Sequence, residues 1–144
     1  MQVWRISAFA DLSGRGGLTY AARWNHRGTP IVYASDHVST ALLEMLVHAD
    51  LELLPDTYQL LEIVIPEDVA VVEVEPPDGW QNDVAVTRQI WQDFVEGEQG
   101  TVLKVPCIIA PYAFNFLINP AAVSEVGIRI ASVKSHPVDP RFRM

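Results

Sequence analysis

The sequence predicts a mixed α+β domain, mainly short antiparallel strands with a few helices. Short apolar runs bounded by Pro, Gly, Asn or Asp outnumber the segments with helical spacing. Their order is not the regular strand–helix alternation of a parallel α/β fold. A chain of 144 residues, 49% of them hydrophobic, is long enough to bury one sizeable core. No repeat, low-complexity tract or Pro/Gly/Ser-rich linker divides it, so residues 1–144 read as a single domain.

Val3-Trp4-Arg5-Ile6 forms the first strand. Gly14-Arg15-Gly16-Gly17 then opens a loop to about residue 28, interrupted by apolar Leu18, Tyr20 and Trp24. Its glycines resemble a phosphate loop only superficially, because the dinucleotide fingerprint needs a helix after them and no helical pattern follows. A flexible loop able to cover a ligand is the expectation. Residues 31–34 make a second strand, and Ser35 or Asp36 then caps a helix over residues 37–49 through a short side-chain oxygen. Val38, Ala41, Leu42, Met45, Leu46 and Ala49 give that helix one apolar stripe, which Leu43 and Val47 widen. Residues 58–65 read as a strand stopped by Pro66, and residues 70–75 as another, whose Val/Glu alternation gives one dry face and one wet face. After the Pro76-Pro77-Asp78-Gly79 turn, Asn82 or Asp83 caps a second helix through residue 95. That helix has Val84, Thr87, Ile90, Trp91 and Phe94 inward and Gly97 as its stop. Strands over 101–109, broken at Pro106, and over 114–118 and 128–133 complete the chain.

Bulk properties exclude several classes. A net charge of −8 and a pI near 4.8 argue against a nucleic-acid-binding face and leave room for a basic protein partner. No apolar run approaches the roughly 20 residues of a membrane span, and no basic-then-apolar leader opens the chain. The single cysteine, Cys107, excludes an internal disulfide framework and suits a reducing cytoplasm. His26, His37, His48 and His136 have no metal-ligand spacing with one another or with Cys107, so no zinc site is expected. There is no Gly-x-Ser-x-Gly elbow, and Ser35 and Ser39 have no evident base, so Ser35 reads as a cap or turn residue. Cys107, set among Pro106 and two isoleucines, reads as an inert buried thiol.

Three polar residues sit where core building prefers others. Arg23 lies between Ala22 and Trp24, Tyr33 ends the Pro30-Ile31-Val32 run, and Glu44 interrupts Ala41-Leu42-Leu43 and Met45-Leu46-Val47. Each has a plain structural reading: a surface arginine packed on Trp24, a tyrosine at a core edge, and a glutamate paired with Arg23 or with His48 at i+4. Together, a cation, a phenol and a carboxylate on apolar walls suit a polar, anionic small molecule. A buried carboxylate without partners costs several kcal/mol, so Glu44 needs Arg23, His48 or a ligand hydroxyl.

Over nearly its full length the chain resembles the RES domain, the toxin half of RES–Xre toxin–antitoxin pairs. The resemblance rests on Trp4-Arg5-Ile6, Ala22-Arg23-Trp24-Asn25 with Gly28, Val32-Tyr33-Ala34-Ser35, Ala41-Leu42-Leu43-Glu44, Val105-Pro106, Asn115 with Leu117-Ile118-Asn119-Pro120, and Asp139-Pro140-Arg141. No single piece is specific; their order and spacing are. The resemblance implies a fold related to ADP-ribosyltransferases, with NAD⁺ as substrate rather than resident cofactor. It implies catalytic roles for Arg23, Tyr33 and Glu44, and NAD⁺ contacts at Arg23, Tyr33, Ser35, Cys107 and Asn119. An Xre-type helix-turn-helix antitoxin would be the partner, with a homodimer within the complex as a further expectation. This chain departs from the family's usual Gly-Arg-Trp at Ala22, and from the serine after the later Val-Pro at Cys107. A mono-ADP-ribosyltransferase acting on a specific protein, and a non-catalytic binding module, are the rival readings.

Overall fold

The computed structural model describes residues 1–143. Seven strands form one sheet in the order β4-β5-β6-β2-β1-β3-β7. They are β1 (Gln2–Ile6), β2 (Val32–Ser35), β3 (Thr57–Val64), β4 (Val71–Glu73), β5 (Val102–Pro106), β6 (Phe114–Ile118) and β7 (Arg129–Pro137). Only β4 and β5 are parallel; every other pairing is antiparallel. Four α-helices join them: α1 (Gly16–Thr19), α2 (Val38–His48), α3 (Val84–Glu96) and α4 (Val123–Val126). The expected α+β class and antiparallel bias are both present.

Because successive strand residues point to opposite faces, β2, β5 and β6 feed two separate cores. Val32, Ala34, Val102, Phe116 and Ile118 pack on one face with Val3, Ile63, Ile65 and Ile128, closed over by partly buried Leu12, Val123 and Val126. Leu103, Val105 and Leu117 point to the other face, where Trp91 and Phe94 of α3 pack with Trp24, Ile31 and Trp80. α2 packs on β1 and β2. A large cleft also opens on this second face.

Four local expectations need correction. The cap of α2 is neither Ser35 nor Asp36: the ring nitrogen of His37 accepts from Ser39 N at 3.1 Å. Asp36 is occupied elsewhere, accepting from Thr40 Oγ1 at 2.7 Å and from Phe114 N at 3.0 Å, which ties the start of α2 to β6. The glycine-rich segment is not a flexible flap but contains α1. A Cβ on Gly17 would collide with the Thr29 carbonyl, and one on Gly14 (φ +66°) with Pro120 and the Ile31 backbone. Those glycines therefore permit close packing. Strand β5 ends at Pro106 instead of resuming to residue 109. Strand β7 runs on to Pro137; its Lys134, Ser135 and His136 are exposed on a sheet edge, so no apolar alternation marked them. Asp83 caps α3 by accepting from Val86 N, and Gly97 ends it, as read from sequence.

Candidate active site

One cleft of about 750 Å³ is lined by Arg23, Tyr33, Ser35 and Glu44, with Trp4, Arg5, Trp24, Met45, His48, Arg88, Ile108, Ile109 and Asn115 among its other walls. Residues more than 20 positions apart in sequence converge because β2 and β1 are neighbours in the sheet and α2 crosses over both. The walls are mostly aromatic and aliphatic, so the few polar groups act in a water-poor setting.

Glu44 projects from α2 beside two polar neighbours. His48 Nε2 lies 3.5 Å from its Oε2, the i+4 neighbour expected from spacing, and the thiol of Cys107 donates to its Oε1 at 3.6 Å. The side chain remains 26% exposed, toward the cleft. Arg23 is not its partner: that guanidinium donates from Nη1 to the carbonyl of Gln81 at 3.2 Å. Burial, reinforced by the Glu44 charge, pushes the Cys107 thiol above its ordinary pKa. The thiol is thus a buried donor to the carboxylate.

Tyr33 is more deeply committed than its sequence context suggested. Its hydroxyl donates to Asn25 Oδ1 at 2.6 Å and accepts from Trp24 N at 3.2 Å. Asn25, only 1% exposed, also accepts from Ala22 N and donates to the carbonyls of Tyr20 and His26. Tyr33 and Asn25 thus clamp the 20–26 turn that carries Arg23. Burial pushes the phenol well above its ordinary pKa, so it is no general base. Tyr33 is among the residues that line the cleft.

Ser35 is the last residue of β2, not a helix cap. It is 4% exposed, and its Oγ accepts from Asn115 Nδ2 at 3.3 Å. Asn119 does not join the cluster. It caps the 3₁₀ turn Pro120–Ala122 by accepting from Ala121 N at 3.2 Å, and it lines a separate depression with Glu98 and Glu125. The asparagine that reaches the cleft is Asn115, four residues earlier on β6. Its signal in the sequence was a polar residue within the apolar Phe114–Ile118 strand.

Sequence reading also missed Arg5 and Arg88. Arg5 is a half-buried cation on β1 that donates to the Tyr33 carbonyl at 2.8 Å, and burial lowers its pKa. Arg88 on α3 donates from Nε to the Ala22 carbonyl at 2.8 Å. An arginine in Val3-Trp4-Arg5-Ile6 was a visible signal; Arg88, on a helix of mixed polarity, gave none. Among the described residues no cluster of three or more His, Cys, Asp or Glu side chains is placed to hold a metal, and no helix is long and apolar enough to cross a membrane.

Known proteins resemble this chain in sequence and in fold. The chain is 40% identical to "Toxin Res" of Pseudomonas putida, covering 83% of this chain and 85% of that protein. It is 36% identical to "Prs ADP-ribosylating toxin" of a Sphingobium species, covering 96% and 94%. Among solved structures it superposes on a chain of the Mycobacterium tuberculosis MbcT–MbcA toxin–antitoxin complex with a TM-score of 0.71. That superposition covers 99% of this chain and 86% of the other, at 17% identity, a level that establishes likeness of fold. The RES domain family matches residues 2–139, and the chain belongs to that family.

Proposed function

We propose that this chain is the toxin of a toxin–antitoxin pair and that it consumes NAD⁺ by cleaving the nicotinamide–ribose bond. The observation that carries this reading is the placement of the Glu44 carboxylate, the Tyr33 ring and the Arg23 guanidinium on the walls of a single apolar cleft. The C–N glycosidic bond breaks with its electron pair going to nicotinamide, which leaves neutral and needs no strong general acid. The ribose carbon passes through an oxocarbenium-like state, as in glycoside hydrolysis. Glu44 stabilises that charge more strongly in the cleft than it would in bulk water. Water or phosphate forms the new C–O bond and loses its proton. The Cys107 thiol donates to one Glu44 oxygen and His48 lies beside the other, which fixes the plane of the carboxylate. Arg23, held by the Gln81 carbonyl, keeps guanidinium N–H groups for the pyrophosphate. Tyr33 stacks on the nicotinamide riboside end, because its hydroxyl proton is already given to Asn25. Ser35 and Asn115 line the same floor as hydrogen-bonding partners of the ribose.

Purified chain incubated with NAD⁺ in parallel with and without inorganic phosphate should release nicotinamide, and Glu44→Gln should stop the release; intact NAD⁺ after prolonged incubation under both conditions would refute hydrolysis and phosphorolysis alike. The second reading, transfer of ADP-ribose to a protein, is favoured by the name of the Sphingobium relative. Labelled NAD⁺ that reacts only when lysate is added, and marks one protein band, would select it. The partner is read as an Xre-type antitoxin that docks at the cleft mouth and sets an acidic group on Arg23. The chain's net charge of −8 speeds association with a basic DNA-binding partner. Addition of purified antitoxin should suppress turnover, and Arg23→Ala should weaken the complex. Tight binding that leaves turnover intact would put the antitoxin on a remote surface.

A further inference from the structure

The chain has 10 Lys and Arg against 18 Asp and Glu, yet Arg5, Arg23 and Arg88 all line the same cleft. Each donates one N–H to a backbone carbonyl: Arg5 to Tyr33 at 2.8 Å, Arg23 to Gln81 at 3.2 Å and Arg88 to Ala22 at 2.8 Å. The ion pairs among the described residues involve none of the three. A guanidinium carries five donors in a planar fork, so each arginine is held in place with donors still unmatched.

Arg88 has no part in the proposed reaction. A solvent-side arginine on α3 would extend into water, but this one is half-buried and turned into the cleft. Its Nε is held by the carbonyl of the residue just before Arg23, which leaves the two Nη groups at the far end of the fork. The preceding residue, Thr87, donates its hydroxyl to the Arg23 carbonyl. One turn of α3 therefore fixes Arg88 directly and Arg23 through its backbone. Two anchored guanidiniums on adjoining parts of one wall match a ligand with two linked phosphates, one fork to each.

We infer that Arg88 is a second phosphate-binding residue, which together with Arg23 makes the cleft selective for pyrophosphate-bearing ligands over phosphate-free nucleosides. The identification of the ligand as a dinucleotide rests on the NAD⁺ reading; the requirement for two linked phosphates rests on the arginines.

The test is calorimetric titration of wild type, Arg88→Ala and Arg88→Lys with ADP-ribose and with adenosine, at several salt concentrations. Arg88→Ala should weaken ADP-ribose by about 10- to 100-fold, the worth of one or two charge-assisted hydrogen bonds. Adenosine affinity should stay level, and the salt dependence of ADP-ribose binding should flatten as one cation is lost. Arg88→Lys should restore the salt dependence but only part of the affinity. If Arg88 only staples the 20–26 turn, ADP-ribose affinity falls with an unchanged salt slope and Lys rescues nothing, and the assignment is overturned. Undiminished ADP-ribose binding by folded Arg88→Ala overturns it too, as does a wild-type chain that does not bind ADP-ribose. Nicotinamide release from NAD⁺, measured separately, tells the two ideas apart. Arg88-dependent binding without release sinks the reaction alone, and release indifferent to Arg88→Ala sinks this assignment alone.

Discussion

Two hollows of similar size, about 750 and 810 Å³, lie on this molecule and differ in chemistry. The cleft over β1, β2 and β6 has aromatic and aliphatic walls, three arginines without carboxylate partners among the described residues, and one glutamate. The depression at the far end of β6 is lined by Pro30, Pro120, Ala121, Ala122, Glu98, Glu125 and Asn119, and the Asn119 side chain already serves as a cap. Concavity alone therefore does not distinguish them. Anchored donors still awaiting an acceptor do, because such donors in a low-dielectric cleft stabilise an anionic ligand without reorganising.

The comparison breaks if the cleft's polar groups prove dispensable. Glu44→Gln is expected to have the largest effect, a loss of NAD⁺ turnover of about a thousandfold, typical of removing a transition-state charge partner. Stability should change by less than about 1 kcal/mol, since the His48 contact is partly solvated and such pairs contribute little. Turnover by initial rate and thermal unfolding by circular dichroism check both halves; undiminished turnover would make Glu44 structural. Next comes Arg23→Lys. An ammonium cannot hold the Gln81 carbonyl and also present a planar fork. KM for NAD⁺ should rise by about 10- to 100-fold with kcat much less affected. Equal kinetics for Lys and Arg would reduce the position to a source of general positive potential.

Tyr33→Phe sharpens the comparison by separating ring from hydroxyl. The ring's stacking surface survives, while Asn25 Oδ1 and Trp24 N lose their shared partner. Stability should fall by about 1–3 kcal/mol, the cost of leaving the part-buried Trp24 N–H unpaired, since Asn25 Oδ1 still accepts from Ala22 N. KM should rise because the turn bearing Arg23 loosens; a KM unchanged in the folded variant would show that Asn25 holds the turn alone.

Much of this was readable in the sequence because the polar residues stood out against apolar surroundings. Glu44 within Leu43-Glu44-Met45 and its i+4 neighbour His48 follow from helical periodicity, as does the Asp83–Gly97 framing of α3. What failed was tertiary. Nothing local reveals that Asp36 is drawn off to Phe114 N, leaving His37 to cap α2. The packing of Gly14 and Gly17 against Pro120 and Thr29 is likewise set by residues distant in sequence. Asn119 and Asn115 are both polar punctuation in one apolar run; only the end of β6 at Ile118 decides which reaches the cleft. Arg88 becomes visible once α3 is docked against the Ala22 carbonyl.

A smaller effect concerns Cys107. Cys107→Ser keeps a donor for Glu44 and should leave turnover equal or a few-fold higher, whereas Cys107→Ala should lower it about threefold to tenfold, the worth of one modest hydrogen bond. Burial raises the pKa of both the Cys107 thiol and the Tyr33 phenol, whose ordinary values are 9.0 and 10.0. A raised folded-state pKa means the fold binds the proton more tightly than the unfolded chain does. That stabilisation is complete below the ordinary value and is lost as pH rises through the folded one. Unfolding midpoints followed through the alkaline range should therefore decline from near pH 9.0 upward. Cys107→Ser should remove the early part of the decline and Tyr33→Phe the later part; a flat profile in wild type would contradict the burial of both groups.

The smallest effect on turnover is expected at Asn119, and it tests the comparison most directly. The family resemblance implies an NAD⁺ contact there, whereas the side chain lies in the second depression and accepts from Ala121 N. If the geometry decides, Asn119→Ala should cost about 0.5–2 kcal/mol of stability as a lost cap and leave KM and kcat for NAD⁺ at their wild-type values. Asn115→Ala gives the contrast: it removes a donor to Ser35 Oγ on the cleft floor and should impair turnover for a similar or smaller stability cost. The reverse result, activity lost at Asn119 and kept at Asn115, would mean that substrate reaches past the end of β6. The two hollows would then have to be parts of one site.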